Sequence, residues 1–128
     1  MPKNRYKDWM SQAENDLLWG KDTLKDGYPA QACFIAQQSA EKALKALGFF
    51  RGIDMIKSHS VRAIAASLNI NSEIQNASKK LDIYYITTRY PDSMPEGAPH
   101  ENFTGEQAIE ALHLAEMIIS KVKNEIRE

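Results

Sequence analysis

The sequence predicts an all-α protein: a compact antiparallel bundle of about five helices in a single domain spanning residues 1–128. Three observations predict it. Five segments carry apolar residues three and four apart, the period of one helix face. No run alternates β-branched and aromatic residues with the period of two that a strand requires. Capping residues and breakers fall where the periodic segments end. A chain of 128 residues is one domain by length. Surface scaling lets such a chain bury about two-thirds of its unfolded surface, enough for one core without cross-links.

The first helix is expected from about Arg5 to Asp26, with Tyr6, Trp9, Met10, Ala13, Leu17, Gly20 and Leu24 on one face and Gly27 placed to stop it. The second, from about Pro29 to Phe50, has only Glu41, Lys42 and Lys45 as charges, and its apolar residues cover most of the circumference. Such a helix belongs at the centre of a bundle or in a subunit interface. A short third helix should begin near Ser58 and use Val61, Ile64, Ala65 and Leu68. The fourth opens on Ser72-Glu73-Ile74-Gln75, which reads as a capping box between Ser72 and Gln75, and should run to about Arg89 or Tyr90, where Pro91 biases the preceding residue away from helix. The proline-rich stretch from Pro91 to Asn102 is expected to be a loop. The last helix has Thr104 as N-cap with Gln107 three residues on, Glu106 in its first turn, and an apolar row from Ala108 to Ile126 that continues to the chain end.

Lys and Arg total 16 against 17 Asp and Glu, a net charge of −1, so nucleic-acid binding through a strongly basic surface is excluded and any anion site must be local. From Ser93 to Glu128 there are three cations against seven carboxylates, which places the cationic surface near helices two and four. The single cysteine, Cys33, lies in an apolar stretch and is expected to act as a small buried hydrophobe. No window approaches 18 consecutive apolar residues and the N-terminus has no signal-like apolar core, so the expectation is a cytoplasmic chain without a membrane partner.

A metal site is not expected. Glu110 and His113 share the Glu-x-x-His spacing of di-iron bundles, but there is no second copy of that pair, and His59, His100 and His113 have no ligand-like spacing. Gly-rich phosphate loops and nucleophile elbows are missing too, and no cofactor is implied. What stands out is a polar set inside apolar helices: Gln37, Gln38, Glu41, Lys42 and Lys45 on helix two, His59 beyond it, and Arg89, Tyr90 and Asp92 where helix four ends. Helical spacing puts Gln38, Glu41, Lys42 and Lys45 along one stripe. The plainer alternative is a solvated face with a Glu41–Lys45 pair worth a few tenths of a kcal/mol. Arg89, in a last turn between tyrosine and proline, is placed to hold a phosphate bidentately, or simply to face the helix dipole.

Gly27-Tyr28-Pro29-Ala30, the block Gln37-Gln38-Ser39-Ala40-Glu41-Lys42-Ala43-Leu44-Lys45-Ala46, then Ser58-His59-Ser60 and Thr88-Arg89-Tyr90-Pro91-Asp92 together resemble the HEPN domain family, from Trp9 through the last helix. The resemblance implies a helical bundle that dimerises and works beside a separately encoded minimal nucleotidyltransferase, often as a toxin–antitoxin pair. It implies a polar cleft built from Glu41, Lys42, Lys45, His59, Arg89, Tyr90 and Asp92. Some branches of the family are metal-independent endoribonucleases with an arginine and a histidine four to six residues apart in a site shared across the dimer. Here Arg89 is followed by Tyr90-Pro91-Asp92, and the next histidine, His100, lies eleven positions on. The leading reading is a module that binds nucleotide or RNA phosphate without catalysis, and the missing short spacing favours it, and a purely structural partner, over a ribonuclease. The alternatives are a ribonuclease toxin, with Arg89 stabilising the phosphorane and His59 or His100 as general acid or base, and a purely structural dimeric partner. The apolar second helix and the resemblance both predict a homodimer, so light scattering at micromolar concentration should return twice the 14.5 kDa chain mass.

Overall fold

The computed structural model describes residues 4–53 and 56–126. Among these the chain forms seven α-helices: α1 (Tyr6–Lys25), α2 (Pro29–Phe50), α3 (Val61–Ser67), α4 (Ser72–Asp82), α5 (Tyr84–Thr87), α6 (Pro99–Asn102) and α7 (Gly105–Glu125), with a 3-10 turn at Pro91–Ser93. Arg127 and Glu128, to which the last helix was expected to extend, lie outside the described residues.

The long helices begin and end where the local chemistry requires. After α1, Gly27 takes φ +92°, its N–H donates to the Leu24 carbonyl at 3.0 Å, and the Tyr28 N–H donates to the Thr23 carbonyl at 3.2 Å. That is a Schellman closure, which needs a residue that tolerates the left-handed region. Gly52 closes α2 in the same way. Asn69, at φ +54°, closes α3 with the side chain best suited to substitute for glycine there. The start of α7 is the expected capping box: Gln107 N–H donates to Thr104 Oγ1 at 3.1 Å and Thr104 N–H to Gln107 Oε1 at 2.8 Å.

Three details differ from the sequence expectation. Asn71, not Ser72, caps α4, its Oδ1 accepting from the Ile74 N–H at 3.0 Å, while Gln75 turns back to donate to the Ile70 carbonyl at 2.8 Å. The fourth segment is interrupted at Ile83. There Thr87 and Thr88 hydroxyls donate back to the Ile83 and Tyr84 carbonyls, each at 2.6 Å, a competition known to loosen the regular ladder. The stretch after Arg89 is not simply a loop: Pro91 and Pro99, each at the first position of a turn, start the 3-10 turn and α6.

α2 is the centre of the bundle and touches each of the other six helices. It runs antiparallel to α1, as the pairs Asp16–Lys42 and Trp9–Phe49 show. α7 also runs antiparallel to α1, through Glu14–Lys123 and Lys21–Glu116, so α2 and α7 lie parallel and α3 to α6 form the crossover between them. The close approach of the three long helices depends on Gly20, where an added Cβ would come 2.7 Å from Leu112 Cδ2 and 3.1 Å from Ile35 Cγ2. Leu44, Leu47, Ile64, Leu81, Ile118 and Val122 are fully buried at the centre.

Asp82, the last residue of α4, ties the crossover to itself: its carboxylate accepts from Ser60 Oγ at 2.7 Å, Val61 N–H at 2.7 Å and Arg62 N–H at 3.0 Å. It thereby supplements Ser60 as the cap of α3. Replacing Asp82 by Ala should cost about 2 kcal/mol in urea denaturation, the scale of a lost cap with charge-assisted bonds.

Candidate functional site

The polar stripe of α2 follows positions 34, 37, 38, 41 and 45, a helical row that looks toward the α2–α3 connection. Gln37 is fully buried and donates through Nε2 to the His59 carbonyl at 2.9 Å, and Gln38 donates to Gln37 Oε1 at 2.8 Å. Glu41 is 4% exposed and Lys45 6%. Glu41 Oε2 accepts from Lys45 Nζ at 3.1 Å and faces His59 Nδ1 at 3.4 Å. The other carboxylate oxygen, Oε1, is buried without a hydrogen-bond partner among the described residues. The Glu41–Lys45 pair is therefore a buried interaction. It is not the solvated surface pair that its spacing alone suggested.

His59 projects from the α2–α3 connection and Arg89 from the end of α5, and both lie against Tyr85. The imidazole stacks on the phenol ring with centroids 5.3 Å apart and planes 13° from parallel. The Arg89 guanidinium carbon lies 4.6 Å from the Tyr85 ring centre, 4.5 Å from Phe34 and 5.1 Å from Tyr90. Arg89 Nε donates to the Tyr85 carbonyl at 2.8 Å. The arginine is thus a helix cap and a caged cation at once, and its two terminal nitrogens make no hydrogen bond or ion pair among the described residues. A guanidinium fixed through one nitrogen and three ring faces presents its remaining fork outward, the geometry that suits bidentate binding of a phosphate.

The expected residues divide. Glu41, Lys45, His59, Arg89 and Tyr90 are brought into one connected cluster. Lys42 is not: it pairs with the buried Asp16 of α1, one helical stripe away. Lys45 is neutralised by Glu41 and its ammonium lies 5.8 Å from the Trp9 ring centre. The expected addition of both lysines to Arg89 in one cationic cleft is therefore corrected, because each has a carboxylate of its own. Asp92 is exposed on the 3-10 turn and has no hydrogen bond or ion pair to the cluster among the described residues. His100, on α6, and His113, which lines a groove with Glu73 and Glu116, are both elsewhere. Sequence reasoning missed Tyr85, Phe34, Asp16 and Asp82. For Phe34 a signal existed, since it stands seven residues before Glu41 on the same stripe.

Among the described residues no group of three His, Cys, Asp or Glu comes together to hold a metal ion. No helix among them is long and apolar enough to cross a membrane. Burial pushes the Cys33 thiol up to about 12, so it is a packing residue with no thiolate chemistry near neutrality. A cavity of about 420 Å³ between α1 and α7 and a groove of about 490 Å³ between α4 and α7 both lie away from Arg89 and His59. The cluster is an open surface, which suits one phosphate of a larger molecule better than an enclosed small ligand.

A helical bundle with a caged arginine and an exposed histidine held on one half-buried tyrosine belongs with all-helical proteins that present a polar site on their surface. Its family follows from comparison with known proteins. The HEPN domain model matches residues 6–125, and the chain belongs to that family. TT1696 from Thermus thermophilus superposes with a TM-score of 0.92 at 39% identity, over 97% of this chain and 100% of that one. ST0689, an archaeal HEPN homologue, gives 0.85 at 38% identity over 99% and 100%. A HEPN domain protein from Thermotoga maritima gives 0.72 at 29% over 91% and 95%. In sequence the chain is 27% identical to "Putative toxin MJ1304" of Methanocaldococcus jannaschii, over 95% of this chain and 88% of that protein.

The buried pair makes a test. Glu41→Leu leaves the Lys45 ammonium desolvated and unpaired and should lower stability by about 3–5 kcal/mol, whereas Glu41→Leu combined with Lys45→Met should stay within about 1 kcal/mol of wild type, both read by urea denaturation.

Proposed function

We propose that the chain is a toxin-class HEPN domain that acts on RNA, with Arg89 holding the phosphate and His59 serving as the acid–base group. The observation that carries this reading is the shared Tyr85 ring, against which the fold sets a guanidinium with open terminal nitrogens and an exposed imidazole. The two residues are thirty positions apart in sequence, yet they supply the arginine and histidine that the ribonuclease branches draw from one short motif. Likeness to a protein named as a toxin supports the same direction. The reading also includes a cytoplasmic homodimer working with a separately encoded minimal nucleotidyltransferase, the arrangement that family membership suggests.

The chemistry requires little else. His59 takes the proton of a ribose 2′-hydroxyl, the 2′-oxygen bonds to phosphorus, and the bond to the 5′-oxygen breaks, that oxygen leaving as a hydroxyl with a proton from solvent, to give a 2′,3′-cyclic phosphate while the imidazolium returns its proton to water. Negative charge builds on the phosphoryl oxygens in the transition state, where the fixed guanidinium is worth most. Alanine at Arg89 should weaken RNA binding by about 1.5–3 kcal/mol, the worth of hydrogen bonds to a charged group. Its stability should fall by up to about 1 kcal/mol for the lost cap. Purified wild type, incubated with short RNA in the presence of chelator, should give cyclic-phosphate ends, and His59→Ala should bind RNA but not cut it. RNA bound but left intact by wild type would return the chain to a pure binding module. Unchanged affinity in Arg89→Ala with a lowered melting temperature would make Arg89 a structural residue.

A further inference from the structure

We infer that Glu41 is a positioning residue for His59, fixing the proton of the neutral imidazole on Nδ1 so that Nε2 is the open basic nitrogen. This rests on the reading of His59 as the acid–base group and names the residue that sets its state. Glu41 Oε2 lies 3.4 Å from Nδ1 and 3.1 Å from Lys45 Nζ. The carboxylate paired with that ammonium can only accept, so the imidazole nitrogen facing it is the donor. In a histidine the partner of one nitrogen decides the role of the other.

The remaining contacts hold the ring in that pose. The backbone carbonyl of His59 accepts from the buried Gln37, the next residue, Ser60, is held through its hydroxyl by Asp82, and Tyr85 covers one ring face. Glu41 is itself expensive to keep. Its Oε1 is buried without a partner among the described residues, a condition that native folds rarely tolerate. Lys45 accounts for neutralisation of the carboxylate. The Nδ1 contact accounts for its placement opposite the one histidine of the cluster. The His59 side chain is 60% exposed, so the nitrogen turned away from Glu41 is open to a substrate hydroxyl.

The experiment is ¹⁵N NMR of His59 in wild type and in Glu41→Leu/Lys45→Met, at a pH where the ring is neutral, with RNA cleavage measured alongside. Wild type should show the proton on Nδ1. The double variant, with no acceptor behind the ring and no stranded charge, should shift toward the Nε2–H form that a free histidine side chain prefers in water. If RNA is cut, the double variant should cut it about 10-fold more slowly or worse with unchanged RNA affinity, because the group that orients a catalytic histidine is lost. A wild-type ring protonated on Nε2, a tautomer identical in both proteins, or an altered tautomer with an unaltered cleavage rate would each overturn the assignment of Glu41. The wild-type spectrum decides even if the variant does not fold. Wild type that leaves RNA intact while showing the Glu41-dependent tautomer would instead reject the ribonuclease reading and leave the positioning intact.

Discussion

α2 is enclosed over most of its surface. It touches every other helix, and fifteen of its residues from Ala30 to Gly48 are buried. The polar side chains on its buried stripes cannot reach water, so each of them must find a partner inside the bundle or cost the fold several kcal/mol. Ser39 donates to the Ala13 carbonyl at 2.7 Å, Gln37 to the His59 carbonyl, and Glu41 and Lys45 take each other. The same requirement that makes α2 the structural axis therefore decides the orientation of the residues around the candidate site. The His59 segment is held because Gln37 needs an acceptor, and the ring is aligned because Glu41 offers one.

Charge placement follows from this constraint. Two ion pairs lie on adjacent stripes of α2, Asp16–Lys42 toward α1 and Glu41–Lys45 toward the α2–α3 connection. Each neutralises itself locally, so neither lysine contributes an open positive charge. Arg89 differs in kind. Its companions are three aromatic rings and a backbone carbonyl, which hold the guanidinium without neutralising it. In a chain of net charge −1, attraction for an anion must come from such a point and cannot come from a general basic surface.

Much of the fold was legible. Helix ends were marked by Gly27 and the Thr104–Gln107 box, and the apolar circumference of α2 announced its central place. The cap of α4 was misread by one residue because Asn71 and Ser72 are both good caps, and only the backbone geometry chooses between them. The break at Ile83 was hidden because the apolar period runs through it unaltered. At the site, sequence identified the residue types and the two segments but not their pairing. Glu41 and Lys42 differ by about 100° around the helix, and no spacing rule says which neighbouring helix brings a carboxylate to which lysine. Tyr85 was invisible as the common support of His59 and Arg89, since stacking between residues far apart in sequence leaves no local pattern.

The interruption after Asp82 bears directly on that support. Asp82, Tyr85 and Arg89 stand at intervals of three and four, so they share one face only if the backbone keeps its helical sense through Ile83. It does: Ile83 has φ −55° and ψ −33°, within the helical region, although regular hydrogen bonding lapses there. One face of the α4–α5 segment thus caps α3 through Asp82, stacks His59 through Tyr85 and carries Arg89 at its end. The hydroxyls of Thr87 and Thr88 add a second bond to the Ile83 and Tyr84 carbonyls just after the lapse. Arg89 is consequently registered against His59 through the α4–α5 backbone as well as through Tyr85. The relative placement of the two site residues is a property of this one helical face, set by the same residue, Asp82, that holds the start of α3.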